Sequence, residues 1–325
     1  MLEEVMSNLT KICYEYLSIC KHVKGLSNLT LKAYEIDLKQ FSQQFPKKTR
    51  IADINKDQIM AFQKDLFEKG LSATSIKRKM ACLKSLFKWL ELEERMPLNP
   101  FHKINTQIKL PKRLPKNVPS QELYKIINCL RSKLNLTDDM LYCTNELSST
   151  VKSRSDMNIF TTLVAIEIML VTGIRVSELT NIKISDIDIY NKKIKIFGKG
   201  ARERFVFIPD DTLVTLIVAY IKSRAITCSA HCQLLTNSKG KPASTQFIRK
   251  QLKSVSIEAN ITPHMLRHTA ASELLDTGLD IRFVQRLLGH ANISTTEIYT
   301  HVSNSALQSK IEQASVRKKL LFNKI

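Results

Sequence analysis

The chain has 325 residues, of which 43 % are hydrophobic, and carries 50 Lys and Arg against 30 Asp and Glu, a formal net charge of +20. At ~100–200 residues per domain this predicts two domains, and the apolar share excludes a disordered basic tail. No unbroken run of ~18 apolar residues is present, so no helix is expected to span a membrane. The acidic start Met1-Leu2-Glu3-Glu4 lacks a secretory pattern, so the protein is expected in the cytoplasm. The excess of positive charge concerns partners rather than fold, and favours a nucleic acid over mere solubility. Seven cysteines at irregular spacing argue against a disulfide framework. Cys228, His231 and Cys232 lack a second ligand cluster, so no metal is expected.

Residues 1–104 read as helices. Asn28-Leu29-Thr30 is a candidate cap for a helix carrying Leu31, Tyr34, Leu38 and Phe41. A second helix is expected from about Lys56 to Lys69, ending at Gly70. A third begins near Ser72–Thr74, with Ile76, Met80, Leu83, Phe87 and Leu90 as its apolar stripe. Its other face carries Lys77, Lys84 and Lys88, with Arg78 beside them. A solvated face is the ordinary reading of such a stripe; in so basic a chain, phosphate contact competes with it. Residues 105–119 are basic and proline-punctuated, with Lys109, Lys112, Arg113 and Lys116 and no acid, which reads as an interdomain linker.

A second domain is expected over 120–303. It opens with a helix from Gln121 to about Lys133, followed by a polar stretch, 135–155, that is either a loop or a short extra helix. Ile159 to Val171 is apolar on nearly all sides, hence a buried helix. Residues 193–197 and 203–208 alternate around Gly198-Lys199-Gly200-Ala201-Arg202 and read as a hairpin; the remainder reads as helical. Thr262-Pro263 is a helix start that Gly278 closes, and Asp280 caps a further helix ended by Gly289. Ser294-Thr-Thr-Glu297 is a capping box for a short helix carrying Tyr299. The tail, 304–325, can form a last helix that either packs on its own domain or docks on a neighbouring protomer. The fold class is therefore mainly α with a small β-sheet (α+β).

The chemistry concentrates in 172–179, 198–204 and 262–301. His264 and Arg267, three apart, share a helix face. Arg175 follows the Gly173 break where a helix begins, and helix N-termini favour anions. Two arginines can clamp the non-bridging oxygens of one phosphodiester, and Lys199 at a hairpin tip can protonate a leaving oxygen. With His290 and Tyr299, the set is what tyrosine attack on a phosphodiester requires. No carboxylate cluster suggests a two-metal nuclease, and no Gly-Lys-Ser/Thr loop suggests ATP use.

At these residues the sequence resembles the tyrosine recombinases (the phage-integrase family), in particular Xer-type short recombinases and mobile-element integrases. The carrying motifs are Thr172-Gly-Ile-Arg175-Val-Ser-Glu-Leu, Gly198-Lys199-Gly-Ala-Arg-Glu-Arg, His264-Met-Leu-Arg267-His, Leu288-Gly-His290 and Thr295-Thr-Glu-Ile-Tyr299. The resemblance implies a helical core-binding domain and a mixed catalytic domain forming a C-shaped clamp around double-stranded DNA. It implies four protomers on two paired sites, and strand exchange through a Holliday junction without cofactor. In these terms Tyr299 is the nucleophile that forms a 3′-phosphotyrosine, Arg175 and Arg267 hold the scissile phosphate, Lys199 is the general acid, His264 assists proton transfer and His290 hydrogen-bonds the phosphate. The segment between Ser120 and Arg175 is longer than in short Xer-type members, which favours integration or excision of a mobile element over resolution of replicon dimers. A type IB topoisomerase and an inactive DNA-binding relative are the other readings.

Overall fold

The computed structural model describes residues 8–46, 48–96, 98–104, 108, 116–198, 203–224, 231–256, 260–289 and 304–314. The chain divides into two compact units, Met1–Arg113 and Leu114–Ile325, with the division inside the proline-punctuated segment.

Among the described residues the first unit holds four α-helices, α1 (Asn8–His22), α2 (Asn28–Ser42), α3 (Lys56–Glu68) and α4 (Ala73–Leu92). Their apolar stripes meet in a core built around Tyr16, Phe41, Phe62 and Phe87, with Leu83 and Leu90 of α4 wholly buried. The cap of α2 is Ser27, one residue before the segment the spacing suggests; its hydroxyl accepts from the Thr30 N–H at 3.3 Å. The two Ser/Thr-type residues bracket the same turn, and only the one preceding it has the extended backbone a cap needs. An ion pair lies inside this unit: Asp37 and Lys79 are both buried, and Lys79 Nζ donates to Asp37 at 2.8 Å and to Gln40 Oε1 at 2.6 Å. Arg78 pairs with the same carboxylate.

The second unit is built on α7 (Arg154–Thr172), which a Ser153–Asp156 capping box starts and Gly173 ends in the left-handed region at φ +62°. Around it pack α5 (Ser120–Lys133), α9 (Asp211–Arg224), α10 (Thr245–Val255) and α11 (Pro263–Asp276). By length and composition alone α7 is apolar enough to cross a membrane, its 18-residue window having mean hydropathy 1.4, although it holds no unbroken apolar run of that length. Thr161, Thr162 and Glu167 interrupt the apolar run, and 78 % of that window is buried inside the protein. The Thr161 hydroxyl meets the Tyr220 phenol of α9 at 2.9 Å and the Thr236 carbonyl at 2.8 Å, so this hydroxyl is paired inside the core.

The polar stretch becomes a 3-10 turn, Asp139–Tyr142, and a short α6 (Thr144–Ser149) laid against α9, where Ser223 Oγ donates to Ser148 O at 3.2 Å. After α8 (Val176–Asn181), a three-stranded antiparallel sheet runs β1 (Ile187–Asp188), β2 (Lys193–Phe197) and β3 (Glu203–Phe207). The pairing Ile194↔Val206 and Ile196↔Arg204 puts these four residues on the inner face. Residues 231–243 are not helical, contrary to expectation: they form isolated bridges, Lys183↔Gln233 and Thr236↔Pro242, with a turn at Gly240. The buried Arg224 guanidinium donates to the carbonyls of His231 and Leu234 and holds this segment. The unit continues through α12 (Ile281–Leu288) to α13 (Asn304–Ala314), whose Ile311 and Ala314 are buried in the same core.

Candidate active site

Three segments distant in sequence converge at the end of α12. Thr262 caps α11 by accepting from Met265 N–H, with Pro263 at the first helical position, and Leu266, Ala270 and Leu274 anchor the helix in the core. That anchoring carries Arg267 inside, where it is only 7 % exposed. His264, one turn earlier, is exposed, so the two share a helix side but not an environment.

Arg267 Nη1 donates to Gly173 O at 2.7 Å and Nη2 to Leu288 O at 2.8 Å. A guanidinium has five N–H donors, so these bonds fix its plane and leave donors for a ligand. Burial, reinforced by the Arg175 charge, pushes the Arg267 guanidinium down to about 10. It is still a cation at neutral pH, and an incoming anion offsets the cost of burying it.

Arg175 precedes α8, and the helix-start reading needs correction. Glu178 already occupies that end: its Oε2 accepts the Arg175 N–H at 2.8 Å, and its Oε1 accepts from Arg175 Nη1 at 3.0 Å. The Glu178 carboxylate at the start of this six-residue helix works against an anion there, so anion attraction falls to the guanidiniums. Arg175 Nη2 also reaches Gly289 O at 3.4 Å, while its side chain stays 42 % exposed.

Arg204, inward-facing on β3, completes the group. Its Nη1 and Nη2 grip the two Glu178 oxygens at 3.0 and 2.8 Å, and its Nε donates to Leu287 O at 2.9 Å. Burial pushes the Glu178 carboxyl up, but the donors from Arg204 and the Arg175 backbone outweigh it and hold the group below the usual carboxylate range. Sequence reasoning assigned no role to Glu178 or Arg204. A carboxylate three residues into a helix is the second half of a capping box, and an arginine at an inward strand position needs a buried acid; both signals were present.

Of the six residues singled out for chemistry, the structure brings Arg175 and Arg267 together and leaves His264 on the exposed side of α11. Lys199, His290 and Tyr299 lie outside the described residues. The flanks of two of them are described: β2 ends at Phe197, and Gly289, at φ +66°, ends α12. Along α4, Lys77, Arg78, Lys84 and Lys88 are all exposed, though Arg78 is tied back to α2 through Asp37 and Ala33 O. His231 Nε2 bonds Gly240 O at 3.1 Å, and Cys228 lies outside the described residues.

Two family models match the chain: the phage integrase family over residues 144–306, and the phage integrase N-terminal SAM-like domain over 14–94. A protein named tyrosine recombinase in Agathobacter rectalis is 32 % identical over 98 % of this chain and 100 % of its own length. The tyrosine recombinase XerD of Staphylococcus haemolyticus is 32 % identical over 93 % of this chain and 97 % of its own. Among solved structures, a lambda integrase tetramer bound to a Holliday junction matches with TM-score 0.65 at 18 % identity, over 99 % of this chain and 81 % of that one. At that identity the likeness is one of fold.

Proposed function

The chain belongs to the phage integrase family and is a tyrosine recombinase, a site-specific DNA recombinase; from that premise we propose that it cuts and rejoins DNA at the cluster described above. The observation that carries this is the buried Arg267 guanidinium beside Arg175, with Glu178 already engaged by Arg204. Such a cluster is short of negative charge, and a phosphodiester supplies it in a shape that guanidinium donors match.

The steps follow from the chemistry of the groups. The Tyr299 hydroxyl attacks the scissile phosphorus, a bond from phosphorus to tyrosine oxygen forms, and the bond to the 5′ oxygen breaks. His264 takes the tyrosine proton and Lys199 gives one to the leaving oxygen. Arg175 and Arg267, with His290, stabilise the charge on the non-bridging oxygens as it grows. The phosphotyrosine conserves the energy of the broken bond, so a 5′-hydroxyl from a partner strand reverses the step with no input from ATP.

The assembly is four protomers on two paired double-stranded sites; a lambda integrase tetramer bound to a Holliday junction, which shares the fold, supports this reading. The first unit acts as the core-binding domain (1–104), joined by the linker 105–119 to the catalytic domain (120–303), into whose core the tail helix α13 packs Ile311 and Ala314. Lys77, Arg78, Lys84 and Lys88 meet the DNA backbone, and the protein works in the cytoplasm. The event is integration or excision of a mobile element. A second reading, resolution of joined replicons, is favoured by the near full-length match to a protein named XerD.

The test uses nicked DNA fragments from the regions flanking the gene, without metal or ATP. An SDS-resistant protein–DNA band that disappears in Tyr299→Phe, while binding persists, is the expected result. A band that survives in Tyr299→Phe overturns the assignment. Recombinant junctions between an element end and a chromosomal site, rather than between two copies of one replicon, separate the first reading from the second.

A further inference from the structure

Three consecutive carbonyls at the end of α12 each accept from a different arginine: Leu287 from Arg204, Leu288 from Arg267 and Gly289 from Arg175. Two of those arginines are the proposed phosphate ligands. The third has no place in the phosphate set proposed above, yet it shares Glu178 with Arg175. Building on the recombinase reading, we propose that Arg204 is a positioning residue for cleavage: it engages both oxygens of Glu178 so that the carboxylate holds the Arg175 guanidinium by one nitrogen only and leaves it donors for the phosphate, and it pins the end of α12 just before His290.

The geometry supplies the reason. Arg204 meets Glu178 with both terminal nitrogens, at 3.0 and 2.8 Å, a fork-to-fork contact, whereas Arg175 meets the same carboxylate with one guanidinium nitrogen at 3.0 Å. Arg204 is the better buried of the two, its side chain 14 % exposed against 42 %. Without Arg204 the carboxylate has one guanidinium left to pair with, and that guanidinium is the one a scissile phosphate needs. Glu178 then changes from a support into a competitor. The approach of Gly289 to Arg204 fits the same role: a Cβ on Gly289 would stand 3.1 Å from Arg204 Nη1 and 3.2 Å from Cζ, so the backbone before His290 lies directly against this guanidinium.

A merely structural salt bridge makes a different prediction from a positioning one. The experiment measures single-turnover covalent adduct formation on the nicked substrate for wild type, Arg204→Met, Glu178→Gln and the double variant, with DNA binding by gel shift and thermal melting alongside. Arg204→Met is expected to bind DNA within about threefold of wild type and to cleave at least ~10-fold more slowly, the usual cost of losing an outer support of a site. Adding Glu178→Gln, which keeps the acceptor for the Arg175 N–H but removes the competing charge, is expected to restore much of that loss. Wild-type cleavage by Arg204→Met overturns the proposal, as does a double variant slowed by the product of the single losses. Should Arg204→Met not fold, Arg204→Lys, which keeps one cation–carboxylate contact, carries the same comparison. Hydrogen exchange at the amides of α12 is measured in parallel: faster exchange at its last turn in the variant, with α9 unchanged, supports the pinning, and unchanged exchange there overturns it. A wild-type protein that forms no Tyr299-dependent adduct overturns the recombinase reading instead, and the exchange result then decides the position of Arg204 by itself.

Discussion

Arg267 Nη1 donates to the carbonyl of Gly173 at 2.7 Å, so a guanidinium on α11 closes the end of α7, 94 residues earlier. Gly173 has no room for a side chain there. An added Cβ would sit 2.5 Å from Leu288 Cδ2, and the backbone is left-handed at φ +62°. The end of α7, the middle of α11 and the end of α12 are thus held together at a glycine.

Gly173→Ala should therefore destabilise the protein by about 1–3 kcal/mol, combining left-handed strain with overpacking against a buried leucine. Because Leu288 O is the other acceptor of Arg267, cleavage should fall with stability. Urea denaturation and adduct formation check this; a fully stable Gly173→Ala variant would mean that Leu288 moves aside freely.

Arg267→Ala should cleave ~10²–10³-fold more slowly at saturating DNA, the loss expected for one preorganised electrostatic donor. Arg267→Lys should recover little, since a single ammonium cannot span Gly173 O and Leu288 O and still face a phosphate. Single-turnover rates of the two variants, compared with wild type, make the test; near-wild-type cleavage by Arg267→Lys would remove the geometric argument.

Glu178 gives a pH dependence. Its folded-state carboxyl is held low, so the stability it contributes is present above the ordinary carboxylate range of about 4.3 and is lost as pH falls through the folded value. Wild type should exceed Glu178→Gln in urea midpoint at neutral pH, with the gap narrowing as the medium is acidified below that range. A gap independent of pH would show that the carboxylate charge contributes nothing.

DNA affinity should fall steeply with salt, as phosphate contacts release counterions. Lys77→Ala, Lys84→Ala and Lys88→Ala should each reduce the slope of log affinity against log salt by about 1 without altering sequence preference. Lys79→Ala, two positions from Lys77, should behave differently: it leaves the buried Asp37 with Arg78 as its remaining cationic partner, and should cost about 1–3 kcal/mol of stability in the first unit. Slopes unchanged in the three exposed variants would move the contact surface elsewhere.

What was legible in the sequence was local. Thr262-Pro263 marked the start of α11, Ser72 that of α4, and the alternation in 193–197 and 203–207 marked the hairpin, because caps and strand periodicity are written within a few residues of where they act. The partnership of Glu178 with Arg204 spans 26 residues and that of Lys79 with Asp37 spans 42, and no periodicity connects them. Lys79 is the clearest case. On α4 it adjoins exposed Lys77 and Arg78, and only the helix angle together with an acid on another helix distinguishes it from them. β1, two residues long, is too short to leave a pattern, and residues 231–243 took their path from Arg224 rather than from any propensity of their own.

The three carbonyls ending α12 draw on arginines 83, 21 and 114 residues away along the chain. Contacts of that separation must bear loop-closure entropy before they return any stabilisation. A nascent chain that has not yet delivered residues 281–289 has its arginines but no surface to set them on. A chain that ends before α12 therefore keeps all three arginines but lacks the acceptors that set their planes.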